Sequence, residues 1–138
     1  MRTPDVASDV MVAIESEADI VSARARGRQL AIQIGFTPTR ATLLATAISE
    51  LARNILLYAG HGEILLSIVE NATGSGIRVT AQDHGPGIAD LAQALRDGYS
   101  TSGRMGLGLP GVRRLTDRFE VRSTSGLGTV VAATMWRH

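Results

Sequence analysis

The chain has 138 residues, a length that fits one domain and one core. Its 44% apolar and 20% charged residues are ordinary for a globular protein, and a net charge of +1 argues against nucleic acid as the main partner. There is no cysteine and all 14 basic residues are arginine, which excludes disulfides, zinc thiolate sites, a cysteine nucleophile, the lysine-bearing P-loop and the eukaryotic-type kinase site.

In chain order, the run MRTPDVASDV lacks the apolar core of a signal peptide, and no apolar run reaches membrane-spanning length. A soluble cytoplasmic protein without a membrane partner is the expectation. Val10 to Glu15 predicts a short strand. Asp19 is placed to cap a helix that runs to about Ile34 and stops at Gly35, with Ile20, Ala23, Gly27, Leu30, Ala31 and Ile34 on one face. Arg24, Arg26 and Arg28 on that helix are ordinarily a solvated face; a docking surface for an acidic partner is the sharper alternative. Thr37-Pro38 starts a longer helix, because the missing proline N–H costs little in a first turn. Leu44, Ala47, Ile48, Leu51, Ile55 and Tyr58 form its core stripe, and Gly60 and Gly62 end it. Glu63 to Asn71 predicts a strand, Ala72 to Gly76 a turn, and the alternation from Ile77 to Asp83 a hairpin partner.

Asp83 to Gly111 holds seven of the chain's 15 glycines. Glycine at this density lets the backbone approach a ligand, and a glycine run that opens a helix aims free N–H groups at an anion. A nucleotide pocket is the expectation, with the base near Asp83 and phosphates near Gly106 and Gly108. Ile88 to Arg96 is a short helix candidate beside it. Pro110 to Thr116 predicts another short helix, Arg118 to Thr124 a strand, Ser125 to Gly128 a tight turn, and Thr129 to Trp136 the last strand. Trp136 is expected to pack within its strand; His61 and His84, set between glycines, are expected in solvent. Strands that arrive as hairpins predict an α+β fold: a two-layer sandwich with a mainly antiparallel mixed sheet and helices on one face, one domain over residues 1–138.

Glu50 and Asn54 are four apart on the second predicted helix and share a face. Taken alone such a pair is ordinarily a hydrogen-bonded surface. It also suits phosphate chemistry: an amide oxygen is a hard ligand for Mg²⁺, and a carboxylate can accept a proton from a nucleophile. In Asp83-His84-Gly85-Pro86-Gly87, the carboxylate at a strand end can accept from an exocyclic amine such as that of adenine, and the glycines admit a flat base. An Asx-type turn is the plain alternative. Gly103 to Gly108 leads into a helix. Gly126 to Thr129 by itself is a hairpin turn.

These four segments, in this order, resemble the boxes of the Bergerat-fold (GHKL) ATPase superfamily, which includes gyrase-type topoisomerases, heat-shock chaperones, histidine kinases and mismatch-repair proteins. The run Ser49-Glu50-Leu51-Ala52-Arg53-Asn54 followed by Leu57-Tyr58-Ala59-Gly60, with DHGPGI, DGYSTSG, GLPGVRRL and SGLGT, resembles the anti-sigma-factor serine/threonine kinase branch, above all the stressosome switch kinases. The resemblance implies that Glu50 is the base that activates a protein hydroxyl, that Asn54 holds Mg²⁺ and that Asp83 reads the adenine amine beside Gly85 and Gly87. It implies a lid from Tyr99 to Met105 over the phosphates, with Ser100, Thr101, Gly103 and Arg104 at the nucleotide. Gly106, Leu107 and Gly108 supply N–H groups and Thr129 helps place the base. With no lysine to meet the γ-phosphate, Arg104 is the nominated cation.

The implied activity is that of a Mg-ATP-dependent protein serine/threonine kinase acting on scaffold or antagonist proteins of the stressosome. When released, it would activate a PP2C-type phosphatase upstream of a sigma factor. The alternatives are an ATP-binding partner switch that works by binding with little or no catalysis, an anti-sigma factor that sequesters a sigma factor, or a histidine-kinase catalytic domain acting in trans.

Overall fold

The computed structural model describes residues 9–88 and 108–138. Strand β1 (Val10–Ile14) leads into helices α1 (Glu17–Gln33) and α2 (Pro38–Tyr58). The hairpin β2 (Gly62–Asn71) and β3 (Gly74–Asp83) follows, then α3 (Gly108–Leu115) and the hairpin β4 (Arg118–Thr124) and β5 (Gly128–Trp136). The strands form one sheet in the order β1-β2-β3-β5-β4, and all four neighbouring pairs are antiparallel. The expected α+β arrangement is therefore present. The proposed helix from Ile88 to Arg96 lies outside the described residues from Ala89 onward.

Period-two alternation decides which face of the sheet is buried. Val12 and Ile14 of β1, Ile64 and Leu66 of β2, Ile77, Val79 and Ala81 of β3, and Val131, Ala133 and Met135 of β5 all point into one core. Their registers align them across the sheet, as in Leu66 opposite Val79 and Val79 opposite Ala133. The helices cover this face. From α2 the core takes Ala41, Leu44, Ala47, Ile48, Leu51, Ala52 and Ile55, and from α1 it takes Ile20, Ala23 and Ala31. Tyr58, the last member of the predicted stripe, is instead 40% exposed, because the helix ends there, clear of the core.

The helix starts follow local chemistry. Thr37 caps α2 by accepting the Arg40 N–H at 3.2 Å, with Pro38 as the first helical residue. The cap of α1 is Ser16 and not Asp19, which lies within the first turn. There the Asp19 carboxylate reaches back to the Glu15 N–H at 2.8 Å and the Ser16 hydroxyl at 3.3 Å, and its charge suits the positive helix end. Arg24, Arg26 and Arg28 are exposed, and Arg28 Nε donates to Thr42 Oγ1 at 3.3 Å. Among the described residues no helix is long and apolar enough to cross a membrane.

A polar clamp ties the far end of the sheet to α2. Arg40 donates through Nη2 to Asp117 Oδ2 at 2.7 Å and through Nε to the Trp136 carbonyl at 2.8 Å. The same Asp117 oxygen accepts the Trp136 N–H at 2.7 Å.

Candidate active site

At one end of the sheet the inward positions turn polar. Strand β3 continues Ile77, Val79 and Ala81 with Asp83. Strand β5, read backwards from Met135, continues Ala133 and Val131 with Thr129. Strand β4 continues Phe119 and Val121 with Ser123. The register sets Asp83 opposite Thr129, and Thr129 opposite Ser123.

Asp83 and Thr129 line a partly open pocket that is also walled by α2 and the start of α3. Its apolar walls are Leu51, Ile55, Ala81, Ile88, Leu109 and Val131; Tyr58 stands beside them, and Asn54, Asp83 and Thr129 are its polar points. Apolar walls with a few polar groups suit a planar heteroaromatic ring held by its edge.

The segment after Asp83 is pinned from three directions. Asp83 Oδ1 accepts the Gly85 N–H at 2.9 Å, so the Asx-type turn does form. It occupies only one carboxylate oxygen, and Asp83 lines the pocket, so the turn and a base-reading role are compatible. Gly85 lies against the end of α2: a Cβ there would sit 2.6 Å from that of Ala59. Pro86 O accepts the Gly126 N–H at 2.8 Å, and the Ile88 N–H donates to Ser123 Oγ at 2.6 Å. This nesting of the turn into the β4–β5 hairpin needs Gly87 (φ +81°) and Gly128 (φ +127°), where a Cβ would meet the carbonyl oxygens of Thr124 and Asp83 respectively. His61 and His84 are exposed, and Trp136 packs over Gly76.

Glu50 and Asn54 share a face of α2, as their spacing predicts. Asn54 lines the cavity; Glu50, one turn earlier, lies beside the start of α3. Its Oε1 is 3.4 Å from the Gly108 N–H and its Oε2 is 3.0 Å from Arg53 Nη1. The proposed base and the described part of the proposed phosphate end thus meet in space, although 58 residues separate them in sequence. Ser100, Thr101, Gly103, Arg104, Gly106 and Leu107, with the proposed lid from Tyr99 to Met105, lie outside the described residues.

Three contributors were not singled out by sequence reasoning. Arg53 holds Glu50 from one turn further along; its i+3 spacing was the available signal. Ser123 joins the polar row; the tight turn at Gly126 sets its register against Thr129. Leu109 supplies an apolar wall, and nothing in its local pattern marks it.

Comparison with known proteins agrees with this geometry. Residues 39–137 match the family described as "Histidine kinase-, DNA gyrase B-, and HSP90-like ATPase". The serine/threonine-protein kinase RsbT of Bacillus subtilis is 48% identical over 125 residues, covering 91% of this chain and 94% of RsbT. An anti-sigma F factor of Thermoanaerobacter is 30% identical over 97 residues, 67% of this chain and 68% of that protein. A crystal structure of the RsbU and RsbW domains of a Mycobacterium tuberculosis protein superposes with a TM-score of 0.65 at 16% identity, over 93% of this chain and 32% of that one, a likeness of fold. The chain therefore belongs to the histidine kinase-, DNA gyrase B- and HSP90-like ATPase family, and within it is an RsbT-like protein serine/threonine kinase.

Proposed function

We propose that this kinase is a Mg-ATP-dependent partner switch, acting as one domain over residues 1–138. It phosphorylates hydroxyl groups on antagonist or scaffold proteins of a stressosome. When released from them, it activates a PP2C-type phosphatase upstream of a sigma factor. A switch that uses ATP and regulatory proteins of this kind would act in the cytoplasm. The observation that carries the reading is the Glu50 carboxylate beside Gly108 N–H, one helical turn from the cavity-lining Asn54.

The residues divide the work. Asp83 offers its second carboxylate oxygen to the adenine amine, Thr129 places the ring, and Gly85 and Gly87 let the backbone lie close to it. By the family resemblance, the N–H groups of Gly106, Leu107 and Gly108 would bind the phosphates, and Ser100, Thr101, Gly103 and Arg104 would contact the nucleotide. The donors suit magnesium: Asn54 brings an amide oxygen to the pocket one turn from the Glu50 carboxylate, and Mg²⁺ favours a few oxygen ligands with water and phosphate completing its shell. Asn54 would hold the ion, which supplies neutralisation of phosphate charge. Glu50 takes the proton of the acceptor hydroxyl as that oxygen bonds to phosphorus, and positioning supplies the rest.

Transfer of labelled γ-phosphate from ATP to a candidate antagonist protein tests this. Glu50→Gln should lower transfer by about 10²–10⁴-fold while ATP still binds. Undiminished transfer removes Glu50 as the base.

The likeness to anti-sigma F factors favours a second output that rests on binding, to a phosphatase or a sigma factor. Asn54→Ala separates the two. A folded, transfer-deficient variant that still activates the phosphatase supports a separable binding role, and loss of both functions argues against it.

A further inference from the structure

We propose that the helix-free face of the sheet carries an anion site formed by Arg78, Thr134 and Arg118, which binds a phosphoserine or phosphothreonine on an extended segment of a partner protein. The site lies on the other face of the sheet from the nucleotide pocket and does not depend on the reading of that pocket.

The helices cover one face of the sheet, so every second strand residue points away from the core. The register sets four of these in one row: Ser67 on β2, Arg78 on β3, Thr134 on β5 and Arg118 on β4. Both arginines are exposed. Neighbouring strands are about 4.8 Å apart, so the two arginine backbones stand roughly 10 Å apart with Thr134 midway between them. Among the described residues, no hydrogen bond or ion pair holds either guanidinium. The nearest acid in sequence, Asp117, is taken by Arg40 and the Trp136 N–H. Glu120 is on the same face, two residues further along β4, and forms no ion pair with Arg118.

Thr134 is the unusual member of the row. It is only 6% exposed although it lies on the helix-free face. A hydroxyl so covered is ordinarily paired, yet among the described residues this one has no hydrogen-bond partner. The row therefore offers one hydroxyl between two uncompensated positive charges. A phosphate monoester matches it: its three terminal oxygens can meet both guanidinium forks and the hydroxyl, whereas a carboxylate has only two. The row lies open, with Val69 and Trp136 on one side of it and Leu65 and Ala132 on the other. A free phosphate would use none of these apolar neighbours; an extended segment carrying the phosphate would use them all. Serine/threonine kinases make such esters, so a phosphorylated protein is a ligand of the kind this chain's own reaction produces.

Trp136, the chain's only tryptophan, packs over Gly76 next to the row, so its fluorescence reports on the site. The probe is a short synthetic peptide of alternating valine and glutamine with one central phosphothreonine, titrated into the whole chain without ATP. The emission should shift and saturate with this peptide and stay unchanged with its unphosphorylated form. Arg78→Gln and Arg118→Gln should each weaken binding at least about tenfold, and Thr134→Val about five- to tenfold. Arg122→Gln, exposed on the same face outside the row, should change little. Thr134→Ser keeps the hydroxyl and should bind like the parent, which preserves the test if Thr134→Val melts. Phosphate transfer to an unphosphorylated acceptor should be unchanged in Arg78→Gln. Equal binding of the unphosphorylated peptide, or full binding by Arg78→Gln and Arg118→Gln, would overturn the proposal. Inorganic phosphate binding as tightly as the peptide would overturn a protein segment as the ligand. A single-stranded oligonucleotide binding more tightly would replace it with nucleic acid. Phosphopeptide binding by a chain that transfers no phosphate would overturn the kinase mechanism and leave this site standing.

Discussion

Arg53 Nη1 donates to Glu50 Oε2 at 3.0 Å within α2, while the Gly108 N–H faces the other oxygen of the same carboxylate. The proposed base is held from two sides, by its own helix and by the start of α3. Among the described residues, the buried Arg53 Nε has no hydrogen-bond partner, so the guanidinium is not fully used by Glu50. Arg53→Ala should lower kcat about tenfold with little change in the KM for ATP, because it frees the carboxylate to swing without touching the base end. Arg53→Lys should fall between, since a single ammonium cannot reproduce the planar fork. Steady-state phosphate transfer reads both. A raised KM at constant kcat would place Arg53 at the nucleotide and not at the base.

Asp83 performs two tasks with two oxygens. In Asp83→Asn the amide oxygen stays with the Gly85 N–H, which keeps the turn. The amide nitrogen then faces the cavity as a donor and opposes the adenine amine. ATP affinity should fall by at least about tenfold, while thermal stability without nucleotide stays close to that of the parent. Retained affinity would show that adenine is read elsewhere.

Gly128 sits where any Cβ would run into the Asp83 carbonyl, and its φ is +127°. Neither the clash nor the dihedral is relieved by a side-chain rotation. Gly128→Ala should cost at least about 2 kcal/mol in denaturant unfolding and should weaken ATP binding, because it pushes Asp83 and Thr129 apart. Gly126→Ala is the comparison: a Cβ there meets nothing within 4 Å, which leaves only the cost of its φ of +81°. It should destabilise less.

Asp117 lies at the other end of β5 from Thr129, in the clamp with Arg40 and Trp136. Asp117→Ala removes an acceptor shared by a guanidinium and a backbone N–H. About 1–2 kcal/mol of stability should be lost, seen as a melting temperature lower by roughly 3–10 °C. ATP affinity should not change. A matching loss of affinity would mean that the clamp transmits strain along β5.

Much of the fold was legible because it is written in local periods. The i, i+3, i+4 stripe of α2 and the alternation in β3 each survive into the packed core, as Leu44, Ile48, Leu51, Ile77 and Val79 show. Local signals misled where competing caps were close together, as with Ser16 and Asp19, and where a helix outran the surface it covers, as at Tyr58. Sheet order was not legible: β5 lies between β3 and β4, and no local pattern carries that choice.

By itself the sequence determined the chemistry present and its grouping into short runs. It set an acid and an amide one turn apart at Glu50 and Asn54, an acid entering a glycine turn at Asp83, and a lysine-free chain that cannot use a P-loop. Which of those groups meet was decided only by tertiary structure. The register of three strands aligned Asp83, Thr129 and Ser123 in one row, and the packing of α3 brought Gly108 to Glu50. The physical reason is range. Helix and strand periods act over a few residues, whereas a hydrogen bond between residues 50 and 108, or a hydroxyl pair across β4 and β5, exists only after the apolar faces have closed on one core.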